Sequence, residues 1–235
     1  MTAIEGSTVL VTGGSRGLGR ALVEGLYARG AKKVYATARD PRTVTHPDAV
    51  ALALEITDQA SVAAAAEQAD DVTILINNAG IATGSSFLDA PLADIRREFE
   101  TNFYGPLLTV RAFAPVIERN GGGHLLNVAS VLSWITIPGS ESYSASKAAL
   151  WSQTNALRLA LRPRGINVTG LHVGYLDTDM TAAIAAPKLD PKDVAEQALE
   201  GIATDAFEVL ADDLSRQVKA GLAADLTAHY PQLAK

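Results

Sequence analysis

The chain has 235 residues, a formal net charge of −6 and no cysteine. Those totals exclude disulfides and thiolate metal sites, and they argue against nucleic acid as the main partner, because neutralising phosphates requires a basic face. The composition, 48% hydrophobic with no run long enough to span a bilayer, is that of a soluble globular protein that does not enter a membrane. The opening MTAIEGSTVL lacks the basic region and apolar core of a signal peptide, so a cytoplasmic location is expected. Four histidines (His46, His124, His172 and His229) show no ligand spacing, and no metal is expected.

The first apolar run, 7–11, reads as a strand and passes directly into TGGSRGLG at 12–19, which opens a helix over 17–29. Glycines at 13, 17 and 19 let the backbone turn tightly and approach an anion, and the helix N-terminus adds free N–H groups and partial positive charge. Gly13, Ser15, Arg16, Gly17, Leu18 and Gly19 are therefore the expected pyrophosphate cradle. The loop lacks the GK[ST] of a P-loop, which disfavours nucleotide hydrolysis. A second strand, 33–37, leads into VYATARD. Ala38 stands where a carboxylate would bind the adenosine ribose, and Arg39 follows it. Arg39 with Arg16 would suit the 2′-phosphate of NADP, so NADP(H) is favoured over NAD(H). Asp40 either caps the next turn or faces the ribose.

Further strands are expected at 51–56, 72–76, 124–129, 166–173 and 207–211, alternating with helices near 59–69, 91–119, 142–162 and 191–203. Several strands are apolar on consecutive residues, as strands buried on both faces must be. Asp58 and Ser142 are the expected helix caps. Strand 72–76 ends in NNAG, where Asn78, Ala79 and Gly80 let a ligand lie against the main chain. Asn102 is a polar residue inside a long helix, beside Gly105 and Pro106, and on its own reads as a kink. The strand 124–129 ends at Ser130; Tyr143 and Lys147 follow at the start of the next helix, one turn apart. The repeated β-α alternation predicts one domain over 1–235, a doubly wound parallel α/β sheet covered by helices on both faces. A C-terminal amphipathic helix is expected over about 212–227, with Leu214, Val218, Leu222 and Leu226 on one stripe. It would pack on its own subunit or on a neighbour's.

TGGSRGLG (12–19), NNAG (77–80), Asn102, Ser130 and YSASK (143–147), in that order and at those separations, resemble the short-chain dehydrogenase/reductase family in its single-domain form. The resemblance spans residues 6 to 211. It implies a Rossmann-type seven-stranded sheet and hydride transfer between a nicotinamide dinucleotide and a carbonyl/alcohol pair. By position, Tyr143 is implied as the general acid or base, Lys147 as the partner of the nicotinamide ribose, Ser130 as the holder of the substrate oxygen, and Asn102 as support for a water relay. Glu55 and Ile56 stand on the adenine side, where the family has an aspartate in place of Glu55. Gly174, Leu176 and Thr178 follow the sixth strand, where proline is replaced by Val173. A short lid at about 180–190 implies an open pocket lined by Ile81, Leu132, Trp134, Ile137, Tyr175 and Met180.

Elementary electrostatics gives the pair at 143 and 147 a chemistry of its own. A free phenol titrates at about 10. A lysine one helical turn away shares its face, and its charge in a partly dry site should lower that value. The expected activity is that of an NADPH-dependent carbonyl reductase acting on small apolar ketones or aldehydes, assembled as a homodimer or homotetramer. The alternatives are an NAD-linked alcohol dehydrogenase working oxidatively and a non-catalytic dinucleotide sensor.

Overall fold

In the computed structural model, which describes residues 1–234, seven parallel strands form one sheet. They are β1 (Thr8–Val11), β2 (Lys33–Ala38), β3 (Val50–Ala53), β4 (Ile74–Asn77), β5 (Gly123–Val128), β6 (Ile166–His172) and β7 (Glu208–Leu210), in the order β3-β2-β1-β4-β5-β6-β7. The helices are α1 (Gly17–Ala28), α2 (Gln59–Gln68), α3 (Leu92–Phe99), α4 (Gly105–Arg119), α5 (Glu141–Leu161), α6 (Pro191–Ala203), α7 (Asp213–Gly221) and the short α8 (Leu226–His229). Among the described residues no helix is long and apolar enough to cross a membrane.

Successive strand residues serve opposite faces. Val9 and Val11 of β1 pack in one core with Leu22 and Leu26 of α1 and Leu199 and Ile202 of α6. Leu10, between them, belongs to a second core with Phe113 and Ile117 of α4. β4 repeats the division, with Ile74 and Ile76 on the first face and Leu75 on the second. Two-faced burial explains the unbroken apolar runs, and each such side chain contributes about 1.5–3 kcal/mol when removed from water. β1 pairs with β2 on one side and β4 on the other, so the chain reverses its direction of growth between them. The crevice beyond the carboxyl ends of strands at such a reversal is where open α/β sheets take ligands.

Four expectations need correction. β3 stops at Ala53 rather than 56, because a turn begins there, with Asp58 N–H bonding the Glu55 carbonyl. The helix expected over 91–119 is split by a π-helical turn, Glu100–Tyr104. Pro106 has no N–H to give the Asn102 carbonyl, and the Gly105 N–H reaches back to Glu100 instead, widening the turn. Asp58 caps α2 as expected, accepting from Ala60 N–H at 2.9 Å, but Ser142 caps nothing. It lies buried inside the first turn of α5, and Ser140 holds the cap position. The C-terminal helix breaks after Gly221 and restarts at an Asp225 cap, so of the expected stripe only Val218 is buried while Leu226 is 60% exposed.

Candidate active site

The loop between β1 and α1 is held from the side by the loop after β4. The Thr12 hydroxyl oxygen accepts from the N–H groups of Asn78 (2.9 Å) and Ala79 (3.0 Å). The Asn78 amide donates in turn to the carbonyls of Thr12 (2.9 Å) and Gly13 (3.2 Å). Asn78 is thus a strut for the cradle. Thr12 is the residue that sequence reasoning passed over; a hydroxyl at the strand end beside the glycines was its signal. Gly13 has φ +65°, and a Cβ on Gly19 would run into the Gly13 carbonyl and the Asn78 amide. Arg16, at the N-cap of α1, makes no side-chain cap bond, so its side chain leaves the first-turn N–H groups free. Leu18 is buried in the core and Ser15 is half-buried, so Leu18 presents only main chain to a ligand.

Arg16 and Arg39 are not brought into contact with each other. Arg16 pairs with Asp179 at 2.8 Å on the surface, while Arg39 is exposed and makes no ion pair among the described residues. Asp40 is the cap of the next turn, accepting from Arg42 N–H at 3.0 Å and pairing with its guanidinium. That settles the choice left open by the sequence. Glu55 turns its carboxylate onto Thr57, accepting from the N–H at 3.1 Å and the hydroxyl at 2.9 Å. Ile56 is buried against Gly105. Thr178 lies against Gly17, which places the lid beside the cradle. Leu176 forms a bridge with Leu189, and the Gly174 N–H is held by Asp212 at 2.6 Å.

Asn102, Ser130, Tyr143 and Lys147 are brought together at the carboxyl ends of β4 and β5. The Asn102 side chain accepts from Ile81 N–H and donates to the Ile81 carbonyl, both at 2.9 Å, and donates to Ser146 at 3.0 Å. It is the kink residue and the anchor of the segment after NNAG at once. A Cβ on Gly80 would lie 3.1 Å from Asn102 Oδ1 and 3.6 Å from Lys147 Nζ, so the glycine marks where these elements converge. Ser130 caps a short 3₁₀ turn, Val131–Ser133, and the Ser133 hydroxyl reciprocates on the Ser130 N–H at 3.2 Å. Lys147 donates to the Val128 carbonyl at 2.8 Å, fastening α5 to the end of β5. A buried polar relay sets the same helix on the sheet: Thr109 to Asn77 (2.7 Å), Asn77 to Asn127 (2.9 Å) and Asn127 to Thr154 (2.9 Å).

The electrostatics of the pair departs from expectation. Burial pushes the Tyr143 phenol up to about 12; hydrogen bonding from Ser130 opposes the rise and the charge of Glu98 adds to it. Burial draws Lys147 down to about 8. Its Nζ is 5.7 Å from the Tyr143 ring centre, and desolvation outweighs the attraction. A phenol shifted in this direction keeps its proton at neutral pH, as an ordinary phenol does. Glu98 is a second residue that the sequence left unmarked: it lies fully buried on α3 and accepts from the Thr83 hydroxyl at 2.8 Å. Trp134, expected in the pocket wall, turns inward and stacks on His172. Met180 is 51% exposed at the lid.

Residues 7–189 match the short chain dehydrogenase family model. A ketoacyl reductase, HetN, from Nostoc is 32% identical over 230 residues, covering 89% of this chain and 80% of that protein. A short chain dehydrogenase from Burkholderia cenocepacia, solved in complex with NADP, superposes with a TM-score of 0.94 at 37% identity, covering all of both chains. A 3-ketoacyl-(acyl-carrier-protein) reductase from Brucella melitensis, complexed with NADH, gives 0.81 at 28% identity over 87% of this chain and 95% of that one.

Proposed function

The chain belongs to the short-chain dehydrogenase family, NAD(P)-dependent oxidoreductases acting on CH–OH and C=O groups, and we propose that it is an NADPH-dependent carbonyl reductase for small apolar ketones and aldehydes. The observation that carries this reading is the convergence of Tyr143 and Lys147 on the end of β5: Lys147 Nζ lies 5.7 Å from the Tyr143 ring centre and donates to the Val128 carbonyl, two residues before Ser130. A proton donor is what carbonyl reduction requires, whereas alcohol oxidation would need the phenolate. The ketoacyl reductases among the relatives support the same direction.

The residues fit a nicotinamide dinucleotide: the cradle at Gly13 and Gly19 is closed to any Cβ, and Gly80 leaves the floor beside Asn102 and Lys147 open. Residues 13–19 would hold the pyrophosphate, with Arg39 toward the 2′-phosphate and Arg16 joining it only by releasing Asp179; Ala79 and Gly80 would offer main chain. The bound cofactor supplies the hydride. Tyr143 donates its proton to the carbonyl oxygen as negative charge develops there, and the Ser130 hydroxyl hydrogen-bonds the same oxygen. Lys147 would hold the ribose and keeps a positive charge near Tyr143, and Asn102 fixes the Ile81 main chain that borders the site. Gly174, Leu176 and Thr178 would border the nicotinamide end, and Glu55 would reach adenine only by releasing Thr57. A panel of ketones and aldehydes followed at the NADPH absorbance band tests this; no turnover with any of them sinks it.

Arg39→Asp is expected to move the ratio of kcat/KM for NADPH over NADH toward NADH by about 10- to 100-fold, since a charge-assisted hydrogen bond is worth about 1.5–3 kcal/mol. An unchanged ratio would remove Arg39 from phosphate recognition. The complex with NADP of the Burkholderia cenocepacia relative supports the NADP preference. The exposed Leu159 of α5 and Tyr104 before α4 support a homo-oligomer. Sedimentation as a 24.6 kDa monomer would refute that part.

A further inference from the structure

We propose that His172 is a positioning residue for Ser130, holding through its Nδ1–H the main chain from which the Ser130 hydroxyl is presented. The proposal rests on the reading of Ser130 as the partner of the substrate oxygen.

His172 ends β6, beside the end of β5. Two main-chain bonds join the strands around Ser130, from Ala129 N–H to Leu171 (2.8 Å) and from Val131 N–H to Val173 (3.0 Å). The Ser130 carbonyl between them takes two donors. Ser133 N–H, at 3.0 Å, closes the 3₁₀ turn on itself, and His172 Nδ1, at 3.1 Å, ties that turn to the sheet. The His172 ring then stacks on Trp134, centroids 4.0 Å apart and planes at 16°. Trp134 is the residue that ends the turn Ser130 begins. One ring thus grips both ends of the segment that carries the hydroxyl.

The tautomer follows from the partners. A carbonyl only accepts, so Nδ1 carries the hydrogen, and in the neutral ring Nε2 carries the lone pair. The ring is fully buried, and Nε2 has no hydrogen-bond partner among the described residues. The charged groups around it are Glu208 of β7, Lys219 of α7 and Arg158 of α5. Glu208 Oε1 lies 3.9 Å away and is engaged by Trp151 Nε1 (3.2 Å) and Lys219 (3.0 Å). Burial holds the ring neutral, with a pKa lowered to about 4; the Ser130 carbonyl and Glu208 oppose the shift, and the charges of Lys219 and Arg158 add to it. An apolar side chain would fill this space without leaving a buried nitrogen unpaired. What only histidine adds here is the Nδ1–H on Ser130.

Two variants separate positioning from packing. H172F keeps a flat ring against Trp134 and removes the donor; H172N keeps an N–H at the place of Nδ1 and removes the ring. H172F is expected to lower kcat for carbonyl reduction by about 10- to 100-fold with KM for NADPH unchanged, the scale of a misplaced catalytic group. H172N is expected to recover most of that rate even if its thermal midpoint is lower. Wild-type kcat in H172F, or equal loss in both variants, overturns the proposal. A ¹⁵N spectrum of the His172 ring in the unmodified chain should show Nδ1 protonated and Nε2 bare at neutral pH, and the opposite tautomer would overturn it independently of activity. A wild-type chain inactive on the whole carbonyl panel would instead fail the functional reading, with the ring spectrum still deciding the Ser130 contact.

Discussion

Tyr143→Phe is expected to lower kcat for carbonyl reduction by about 10²–10⁴-fold, the range of a positioned general acid, while leaving the thermal midpoint and the KM for NADPH near their wild-type values. The substitution deletes one oxygen and keeps the ring that packs at the start of α5. Lys147 does not depend on that oxygen, because it donates to the Val128 carbonyl, and the cradle at Thr12 and Asn78 is built from other elements. The same phenol sets the pH dependence. With its pKa at about 12, Tyr143 is protonated across the neutral range, so reduction should be insensitive to its titration there. Oxidation of an alcohol needs the phenolate and should rise with pH toward that value. Steady-state kinetics in both directions checks both statements; a kcat within a few-fold of wild type in the phenylalanine variant would remove Tyr143 from the chemistry.

Acidification from pH 7 to pH 4 is expected to destabilise the fold by about 3 kcal/mol for each of two buried histidines. Burial lowers both His124 and His172 from 6.5 to about 4. His124 is confined between Thr2 (3.2 Å) and Thr169 (2.8 Å), and the nearby Asp205 offsets only part of its desolvation. The unfolded chain binds a proton at each ring below pH 6.5 while the folded chain resists until about 4, so the stability present above 6.5 is lost as pH falls through that window. Carboxylates act lower. Burial raises the Asp205 carboxyl, but the N-terminal ammonium and Thr2 together outweigh it and hold it at about 2, so its contribution disappears only below its ordinary 3.8. Urea unfolding at pH 7, 5.5, 4 and 2.5 separates the two windows. A midpoint that does not move between pH 7 and 4.5 would contradict the buried neutral histidines, and replacing both rings by asparagine should flatten the dependence.

Much of the architecture was legible in the residue order because its causes are local or periodic. Apolar side chains on consecutive positions announced strands buried on both faces, and the glycines at 13, 17 and 19 announced a backbone that passes close to something. Asp58 could be read as a cap from its place before α2. The family motifs put Asn102, Ser130, Tyr143 and Lys147 on one site, and they do converge. The boundaries that failed did so for two reasons: local turns ended β3 and split the helix at Pro106, and contacts from outside the element's own turns decided the other two. Ser142 was drawn inside its helix, where its N–H bonds the Ser85 carbonyl, and the C-terminal stripe broke where His229 bonds back to Gly221.

By itself, the sequence determined the alternation of strands and helices and the glycine loop between the first strand and helix, since these follow from steric freedom and hydrophobic period within short windows; the family resemblance nominated Asn102, Ser130, Tyr143 and Lys147 as candidates. Tertiary structure alone decided that Asn78 braces the cradle, that Arg16 faces Asp179, that Trp134 stacks on His172, and that Tyr143 is pushed up to about 12 rather than down. Each of these depends on how completely water is removed and which charges lie across the site, and those are properties of residues far apart in the chain.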